Sequence, residues 1–191
     1  MRISAGLLKG KRIGAGRISP KRGGKDGYRP TSSKVREAIF DILRNEIEDA
    51  SFLDLYAGSG TVGFEALSRG AARCCFVEQD PRRFSEIVSS VKRMGLDERA
   101  VAFRKNASDF LGKASKAGMT FGIIFADPPY VSEETGGILN LLDAGGILER
   151  GGVLMIEHSS KKVIGDDGRS LRLVRNYRYG DTMLTLFRRD R

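Results

Sequence analysis

An almost wholly apolar run, Phe121–Ala126, is followed directly by the tetrapeptide Asp127-Pro128-Pro129-Tyr130. An apolar run without polar alternation is typical of a strand that is buried on both faces, as in a parallel sheet. In open α/β sheets, ligands bind at the carboxyl ends of such strands. The run therefore predicts an α/β fold and places the tetrapeptide at the ligand-binding edge of the sheet.

The residue types in this tetrapeptide suit a planar group that bears an amino group. The two prolines lack backbone N–H donors and fix φ, which leaves carbonyl oxygens free to face a ligand. Asp127 adds a carboxylate that only accepts hydrogen bonds, and Tyr130 adds a flat aromatic face. A nucleobase has the matching properties. The alternative is a Pro-Pro turn that merely ends the strand.

A glycine-rich turn forms the second motif. It lies between an apolar segment at 52–56 and a helical pattern at 64–69, and it contains Gly58, Gly60 and Gly63. Such a turn lets the backbone approach a ligand at the positive end of a helix. The glycine spacing, with Glu78 further along the chain, also fits the dinucleotide fingerprint. An NAD-dependent oxidoreductase is therefore an alternative.

Asp54 favours a different ligand. It stands four residues before the first glycine, at the predicted strand end, where its charge would repel a pyrophosphate and attract a cation. S-adenosylmethionine carries a sulfonium and an ammonium group together with a ribose and an adenine. The acidic strand end therefore fits this cofactor better than NAD.

The two motifs also resemble those of a known class. Asp54-Leu55-Tyr56-Ala57-Gly58-Ser59-Gly60 resembles the first motif of class I S-adenosylmethionine-dependent methyltransferases, and Asp127-Pro128-Pro129-Tyr130 resembles the fourth motif of the amino-methylating members. The segments 2–6, 9–12, 29–31, 35–37 and 63–71 resemble the bacterial 16S rRNA guanine-N2 methyltransferase family, the RsmD type. The resemblance spans nearly the whole chain.

This resemblance implies a Rossmann-like class I methyltransferase fold. The expected sheet is mostly parallel and seven-stranded, with helices on both faces, a closing antiparallel hairpin and a small N-terminal β-hairpin extension. In the expected reaction, a methyl group passes from S-adenosylmethionine to the N2 amine of a guanine in 16S rRNA.

Roles for individual residues follow from the same resemblance. The expected catalytic residues are Asp127, Pro128, Pro129 and Tyr130. Asp127 and the Pro128 carbonyl would accept the amine protons, and Tyr130 would stack on the base. The expected cofactor-binding residues are Thr31, Arg36, Asp54, Tyr56, Ala57, Gly58, Gly60, Glu78, Asn106, Ala107 and Asp127. No metal site is expected.

Three of these assignments have alternatives. Glu78 would accept the ribose hydroxyls, or it is a surface acid before a helix. Asn106 would meet the adenine edge beside the Ala107 N–H, or it is a helix N-cap. Arg36 would lie near the cofactor carboxylate, or it faces solvent.

The charge of the chain is concentrated at its N-terminus. Residues 1–30 contain nine of the 33 Lys and Arg residues and a single acid, Asp26, in a chain of net charge +9. Such an arm suits the phosphate backbone of RNA, and the alternative is a solvated tail. The expected RNA-binding residues are Arg2, Lys9, Lys11, Arg12, Arg17, Lys21, Arg22, Lys25 and Arg29. We assign 1–30 to an RNA-binding hairpin arm and 31–191 to the methyltransferase domain.

The rest of the chain alternates strands and helices. Strands are predicted at 51–56, 73–78, 101–103, 121–126 and 153–157, with a closing hairpin at 171–179 and 182–188. Helices are predicted around 35–43, 64–69, 81–91, 106–112 and 138–142. The adjacent Cys74 and Cys75 are expected to be ordinary strand residues, and His158 is given no role.

Substrate and setting have further alternatives. Asp-Pro-Pro-Tyr also occurs in DNA adenine-N6 methyltransferases, and a ribosome-assembly factor that has lost activity is a third possibility. No run approaches 18 apolar residues, so a soluble, cytoplasmic protein is expected. We expect a monomer that binds 16S rRNA, within a small-subunit assembly intermediate, without a membrane or an obligate protein partner.

Overall fold

A computed structural model describes residues 1–14, 32–129, 134–165 and 170–190 of the 191-residue chain. Several predicted site residues lie outside these ranges: Thr31, Tyr130, Arg17, Lys21, Arg22, Lys25 and Arg29. In the described part of the chain, no helix is both long and apolar enough to cross a membrane.

Helices and strands alternate along the chain. Their order is α1 (Ser33–Leu43), β1 (Ser51–Asp54), α2 (Thr61–Ser68), β2 (Arg73–Val77), α3 (Pro81–Met94), β3 (Ala100–Phe103), α4 (Ala107–Lys116), β4 (Phe121–Ala126), α5 (Glu134–Gly145), β5 (Leu148–Ser159), β6 (Leu171–Tyr179) and β7 (Thr182–Arg189).

The strands form one seven-stranded sheet in the order β3-β2-β1-β4-β5-β7-β6. The neighbours from β3 to β5 are parallel, and β7 is antiparallel to both β5 and β6. The mostly parallel sheet with a closing antiparallel hairpin is therefore confirmed. The chain runs outward from β1 to β3 and then returns to β4 on the other side of β1. This reversal creates a crevice between the carboxyl ends of β1 and β4.

Two apolar clusters cover the two faces of the sheet. One cluster joins α1, α2 and α3 to strand residues on one face of the sheet, such as Phe52 and Ile123. The other joins α4 and α5 to the alternate residues of the same strands, such as Leu53 and Ile124. Because successive strand residues point to opposite faces, the continuous apolar runs supply both clusters. Helices on both faces are confirmed.

Some element boundaries differ from the prediction. The second helix begins at Thr61 rather than at residue 64, because Gly60 takes a left-handed φ of 74° and starts it directly after the turn. The fifth strand begins at Leu148 rather than at residue 153, since Leu148 pairs with Phe121 and the register of β4 and β5 shifts before the Ile123–Val153 pair. The fifth helix is also longer than predicted and runs over Glu134–Gly145.

The N-terminal hairpin is present in residues 1–14. Arg2 bridges Arg12 in antiparallel fashion, and the Gly10 N–H donates to the Ile3 carbonyl at 2.9 Å. Ile3 and Ile13 are buried in the cluster that contains α1, α2 and α3. The base of the hairpin is therefore part of the core.

Candidate active site at the carboxyl edge of the sheet

Two aspartates meet at the crevice between β1 and β4. Asp54 ends β1 and lies opposite Phe125 of β4, and Asp127 directly follows the end of β4. The cleft holds about 360 Å³ of empty space, part of it open to solvent. Its lining residues are Met1, Asp54, Tyr56, Ala57, Gly58, Ser59, Thr61, Val62, Phe125 and Asp127. The structure thus brings together the two motifs that the sequence singled out.

The glycine turn forms the wall beside α2. The Gly60 N–H donates to the Ala57 carbonyl at 2.6 Å, and the Ala57 N–H donates to the Val77 carbonyl at 2.9 Å. Gly60 has a φ of +74°, and a Cβ at this position would lie 2.8 Å from the Phe64 ring. Only glycine fits both this conformation and this space, so the turn packs directly against the first turn of α2.

Asp54 is a buried carboxyl at the bottom of the cleft. Its side chain accepts a hydrogen bond from the Gly63 N–H at 2.9 Å. Burial raises the pKa of Asp54 to about 7; the Gly63 bond opposes this rise, and the nearby Glu78 adds to it. A buried carboxyl with this pKa favours a cationic ligand, because a positive charge would stabilise its ionised form.

Glu78 follows β2 and holds two backbone amides. One carboxylate oxygen accepts from the Gly58 N–H at 2.7 Å, and the other accepts from the Asp80 N–H at 2.7 Å. Glu78 is only 7 % exposed, so the surface-acid alternative is wrong. Each oxygen keeps acceptor capacity beyond its backbone bond. Glu78 therefore both shapes the glycine turn and presents acceptors beside it.

Asn106 is the N-cap of α4. Its side-chain oxygen accepts from the Asp109 N–H at 2.8 Å, and its amide nitrogen donates to the Asp109 carboxylate at 2.8 Å. The N-cap alternative is therefore confirmed. The contact of Asn106 and Ala107 with the adenine edge stays a prediction. The backbone groups at the start of α4 are as suited to make this contact as the Asn106 side chain.

Arg36 does not face solvent. It is only 5 % exposed, and its Nε lies 3.9 Å from the Glu65 carboxylate. Its Nε and Nη1 have no hydrogen-bond partner within the described part of the chain. Buried guanidinium N–H groups are costly without an acceptor. The buried Arg36 guanidinium therefore needs a hydrogen-bond acceptor that the described residues do not supply.

The Asp127 tetrapeptide is described as far as Pro129. Pro128 is buried, Pro129 is exposed and Asp127 is half-buried at the cleft. Tyr130 lies outside the described residues. Met1 and Thr61 also line the cleft, although the sequence did not single them out, and the Thr61 hydroxyl donates to the Met1 sulfur at 3.2 Å.

Four of the predicted RNA-binding residues are described, and all four are exposed on the N-terminal hairpin: Arg2, Lys9, Lys11 and Arg12. His158 is buried, and its Nε2 lies 2.7 Å from the Thr185 hydroxyl. Cys74 and Cys75 are free and buried in β2, and burial raises the pKa of both thiols. These three residues therefore have the structural character that the sequence suggested.

The fold and the site define a class I methyltransferase: a parallel sheet with a closing antiparallel hairpin, a glycine turn that leads into α2, and acidic residues at the crevice. Residues 1–188 match the family described as Conserved hypothetical protein 95. The chain belongs to this family, which is the RsmD type. Membership removes the NAD-dependent alternative.

Known relatives agree with this assignment. YlbH of Bacillus subtilis, a candidate rRNA methyltransferase by name, is 32% identical over 99% of both chains. Ribosomal RNA small subunit methyltransferase D of Escherichia coli is 36% identical over 69% of this chain and 64% of that protein. The solved structure of Escherichia coli yhhF, a candidate methyltransferase by name, has a TM-score of 0.84 and 29% identity, covering 100% of this chain and 98% of that one.

Proposed function

We propose that this protein transfers a methyl group from S-adenosylmethionine to the exocyclic N2 amine of a specific guanine in 16S rRNA. The placement of Asp127 beside Asp54 in one cleft carries the proposal. Asp54 suits a cationic methyl donor. Asp127, which directly precedes two prolines, suits a planar amine. The names of YlbH and methyltransferase D support rRNA as the substrate.

The cofactor would lie along the carboxyl ends of β1, β2 and β3. Asp54, with the backbone of Tyr56, Ala57, Gly58 and Gly60, would hold its methionine end, and Glu78 would accept its ribose hydroxyls. The start of α4, at Asn106 and Ala107, would meet its adenine. Arg36 and Thr31 would bind its carboxylate, which would supply the acceptor that the buried Arg36 N–H groups call for. When bound, S-adenosylmethionine supplies an electrophilic methyl group.

The residues that follow β4 would prepare the amine. A guanine N2 lone pair is delocalised into the ring, so the amine is a poor nucleophile. Asp127 and the Pro128 carbonyl would accept its two protons, favouring pyramidal nitrogen, and the carboxylate would stabilise the positive charge that grows there. Preorganised groups of this kind contribute roughly 10²–10³ in rate. Tyr130 would stack on the base, with about 1–3 kcal/mol.

The N-terminal hairpin would bind the RNA backbone. Arg2, Lys9, Lys11 and Arg12 project from it as four exposed cations, and the cations of 15–31 would extend the same arm. The target guanine must leave its stack to reach Asp127, so an unpaired nucleotide is the expected substrate. We place the protein in the cytoplasm as a monomer that acts on 16S rRNA, within a small-subunit assembly intermediate.

We expect the affinity for S-adenosylhomocysteine to rise with pH up to about 7 and then to level off. Asp54 has a pKa of about 7 in the free protein and is mostly protonated below it. The ligand ammonium would favour the ionised form, so binding below that pH must release a proton. When binding releases one proton, the dissociation constant changes by up to about tenfold per pH unit. Calorimetric titrations from pH 5.5 to 8 measure this, and Asp54→Asn should flatten the dependence. A slope that survives in Asp54→Asn would assign the titration to another group.

Methyl transfer from labelled S-adenosylmethionine tests the substrate class. Unmodified 30S particles, naked 16S rRNA and duplex DNA are offered in parallel at equal concentration. We expect label in the ribosomal substrates and none in DNA. Label only in DNA would favour the adenine-N6 alternative, and S-adenosylmethionine binding without any transfer would favour an inactive assembly factor.

A further inference from the structure

The N-terminal hairpin is bound along one face of α2 by a buried carboxylate. Glu65 accepts hydrogen bonds from the Ser4 N–H at 2.9 Å, the Ser4 hydroxyl at 2.6 Å and the Ala5 N–H at 3.0 Å. The side chain is 0 % exposed. Three donors from the hairpin thus converge on one acid of the helix that follows the glycine turn.

Ser68 makes a second attachment one turn further along α2. Its hydroxyl oxygen accepts from the Leu8 N–H at 2.9 Å, and its backbone carbonyl accepts from the Leu7 N–H at 2.8 Å. Residues three apart lie on the same face of a helix, so Glu65 and Ser68 act together. We call this pair the α2 clamp.

The charge of Glu65 is held in place by two arginines. Arg69 Nε donates to Glu65 at 3.0 Å, and Arg36 Nε lies 3.9 Å away. Burial alone would raise the pKa of Glu65, but the bonds from Ser4 and Arg69 outweigh it and keep the pKa below its usual value. The clamp is therefore built on an ionised carboxylate, whose hydrogen bonds are stronger than those of a neutral acceptor.

The clamp and the base of the hairpin have separate anchors. Ile3 and Ile13 hold the base in the core, and Met1 reaches Thr61 at the cleft. The clamp instead holds the turn that leads to the exposed Lys9 and Lys11. Without the clamp, the backbone amides of residues 4, 5, 7 and 8 would lose their acceptors on α2. Met1 would keep its contact with Thr61 at the cleft.

We propose that the α2 clamp fixes the basic hairpin in one position relative to the cofactor cleft, which makes Glu65 a positioning residue for rRNA. The inference rests on the proposed function and deepens it, since it names what orients the RNA-binding arm. The helix that carries the glycine turn would also carry the arm, so bound RNA would have a defined register on the site. A correctly placed phosphate contact needs such a rigid support.

Two glycines of the hairpin give a matched pair of variants. A Cβ on Gly6 would lie 1.8 Å from the Ser68 carbonyl oxygen, so Gly6→Ala must push the turn off α2. A Cβ on Gly10 meets nothing within 4 Å, although its φ of +82° is as strained as the +78° of Gly6. Gly10→Ala therefore imposes the same backbone strain without disturbing the clamp.

Three measurements on the full chain test the proposal: amide hydrogen exchange at Ala5, Leu7 and Leu8, the dissociation constant for 16S rRNA at several salt concentrations, and that for S-adenosylhomocysteine. We expect Gly6→Ala to speed exchange, weaken rRNA binding about tenfold and lower the salt slope by about 0.7–0.9 for each phosphate that the hairpin no longer reaches. Gly10→Ala should resemble wild type, and neither variant should change S-adenosylhomocysteine binding more than about threefold, since the cleft end of the hairpin is unchanged.

Glu65→Gln gives an independent test from the helix side, because its amide would place a donor against the Ser4 donors. The same loss of rRNA affinity is expected.

Three outcomes would overturn the proposal. The first is faster amide exchange in Gly6→Ala with unchanged rRNA binding, the second is a loss of rRNA affinity in Gly10→Ala as large as that in Gly6→Ala, and the third is a larger loss of cofactor affinity than of rRNA affinity in Gly6→Ala. A wild-type protein that binds rRNA without methylating it would instead refute the proposed function and leave the clamp to be judged by binding.

Discussion

Asp127→Ala is expected to lose methyl transfer by roughly 10²–10³ or more while it keeps its affinity for S-adenosylhomocysteine. Asp127 follows β4 at the edge of the cleft, where it is half-buried. Its proposed role is to accept an amine proton and to stabilise the charge that grows on nitrogen, and alanine can do neither. Asp127 is also among the expected cofactor-binding residues, but cofactor binding should survive, because the methionine end is assigned to Asp54 and the glycine turn.

The measurement is single-turnover transfer with saturating cofactor, which separates chemistry from binding and product release. Asp127→Asn keeps one acceptor oxygen but no charge, so its rate should fall between wild type and Asp127→Ala. The exposed Asp97, after α3 and before β3, lies at the opposite edge of the sheet. Asp97→Ala is the matched control and should retain normal turnover. Near-normal transfer by Asp127→Ala would refute the assigned chemistry.

Glu78→Ala is expected to weaken S-adenosylhomocysteine binding by about 100-fold, since hydrogen bonds to charged groups contribute about 1.5–3 kcal/mol each. Two effects add here. The variant removes the acceptor of the Gly58 and Asp80 N–H groups, and it removes the proposed acceptor of the ribose hydroxyls. Glu78→Gln should lose less, since it keeps one acceptor oxygen.

A ligand analogue separates the two effects. S-adenosylhomocysteine that lacks its ribose hydroxyls should bind wild type weakly, and Glu78→Ala should add to that loss only the part that comes from the loosened turn. If the losses from the variant and from the analogue were simply additive, Glu78 would not contact the ribose. Thermal unfolding of each variant shows how much of the change comes from a loosened turn, and the exposed Glu98 offers a control in Glu98→Ala.

The sheet and the meeting of the two motifs were accessible from sequence for physical reasons. Strands buried on both faces read as continuous apolar runs, and parallel strands place their carboxyl ends at one edge. Asp54, the glycine turn and Asp127 were therefore expected at one edge of the sheet, and the adjacency of β1 and β4 brings them into one cleft. The start of β5 was missed because residues 149–152 carry polar and glycine residues, although Leu148 still pairs with Phe121.

The roles of Arg36, Glu65 and Met1 depend on contacts between distant parts of the chain. The sequence around Glu65 is that of an ordinary helix-surface acid, but Ser4 and Ala5 dock on it beside Arg36 and Arg69, and its side chain is buried. Arg36 is buried beside Glu65 and so is not at the surface. Periodicity reports which face of a helix is apolar, but it does not report which polar residue a returning hairpin will cover.

The identity of the methylated nucleoside tests the central claim most directly. Labelled product from wild type and Asp127→Ala, each incubated with unmodified 30S particles and naked 16S rRNA, is digested to nucleosides and separated. We expect label in N2-methylguanosine alone, and its loss in Asp127→Ala. Label in another nucleoside, or N2-methylguanosine that persists in Asp127→Ala, would contradict it.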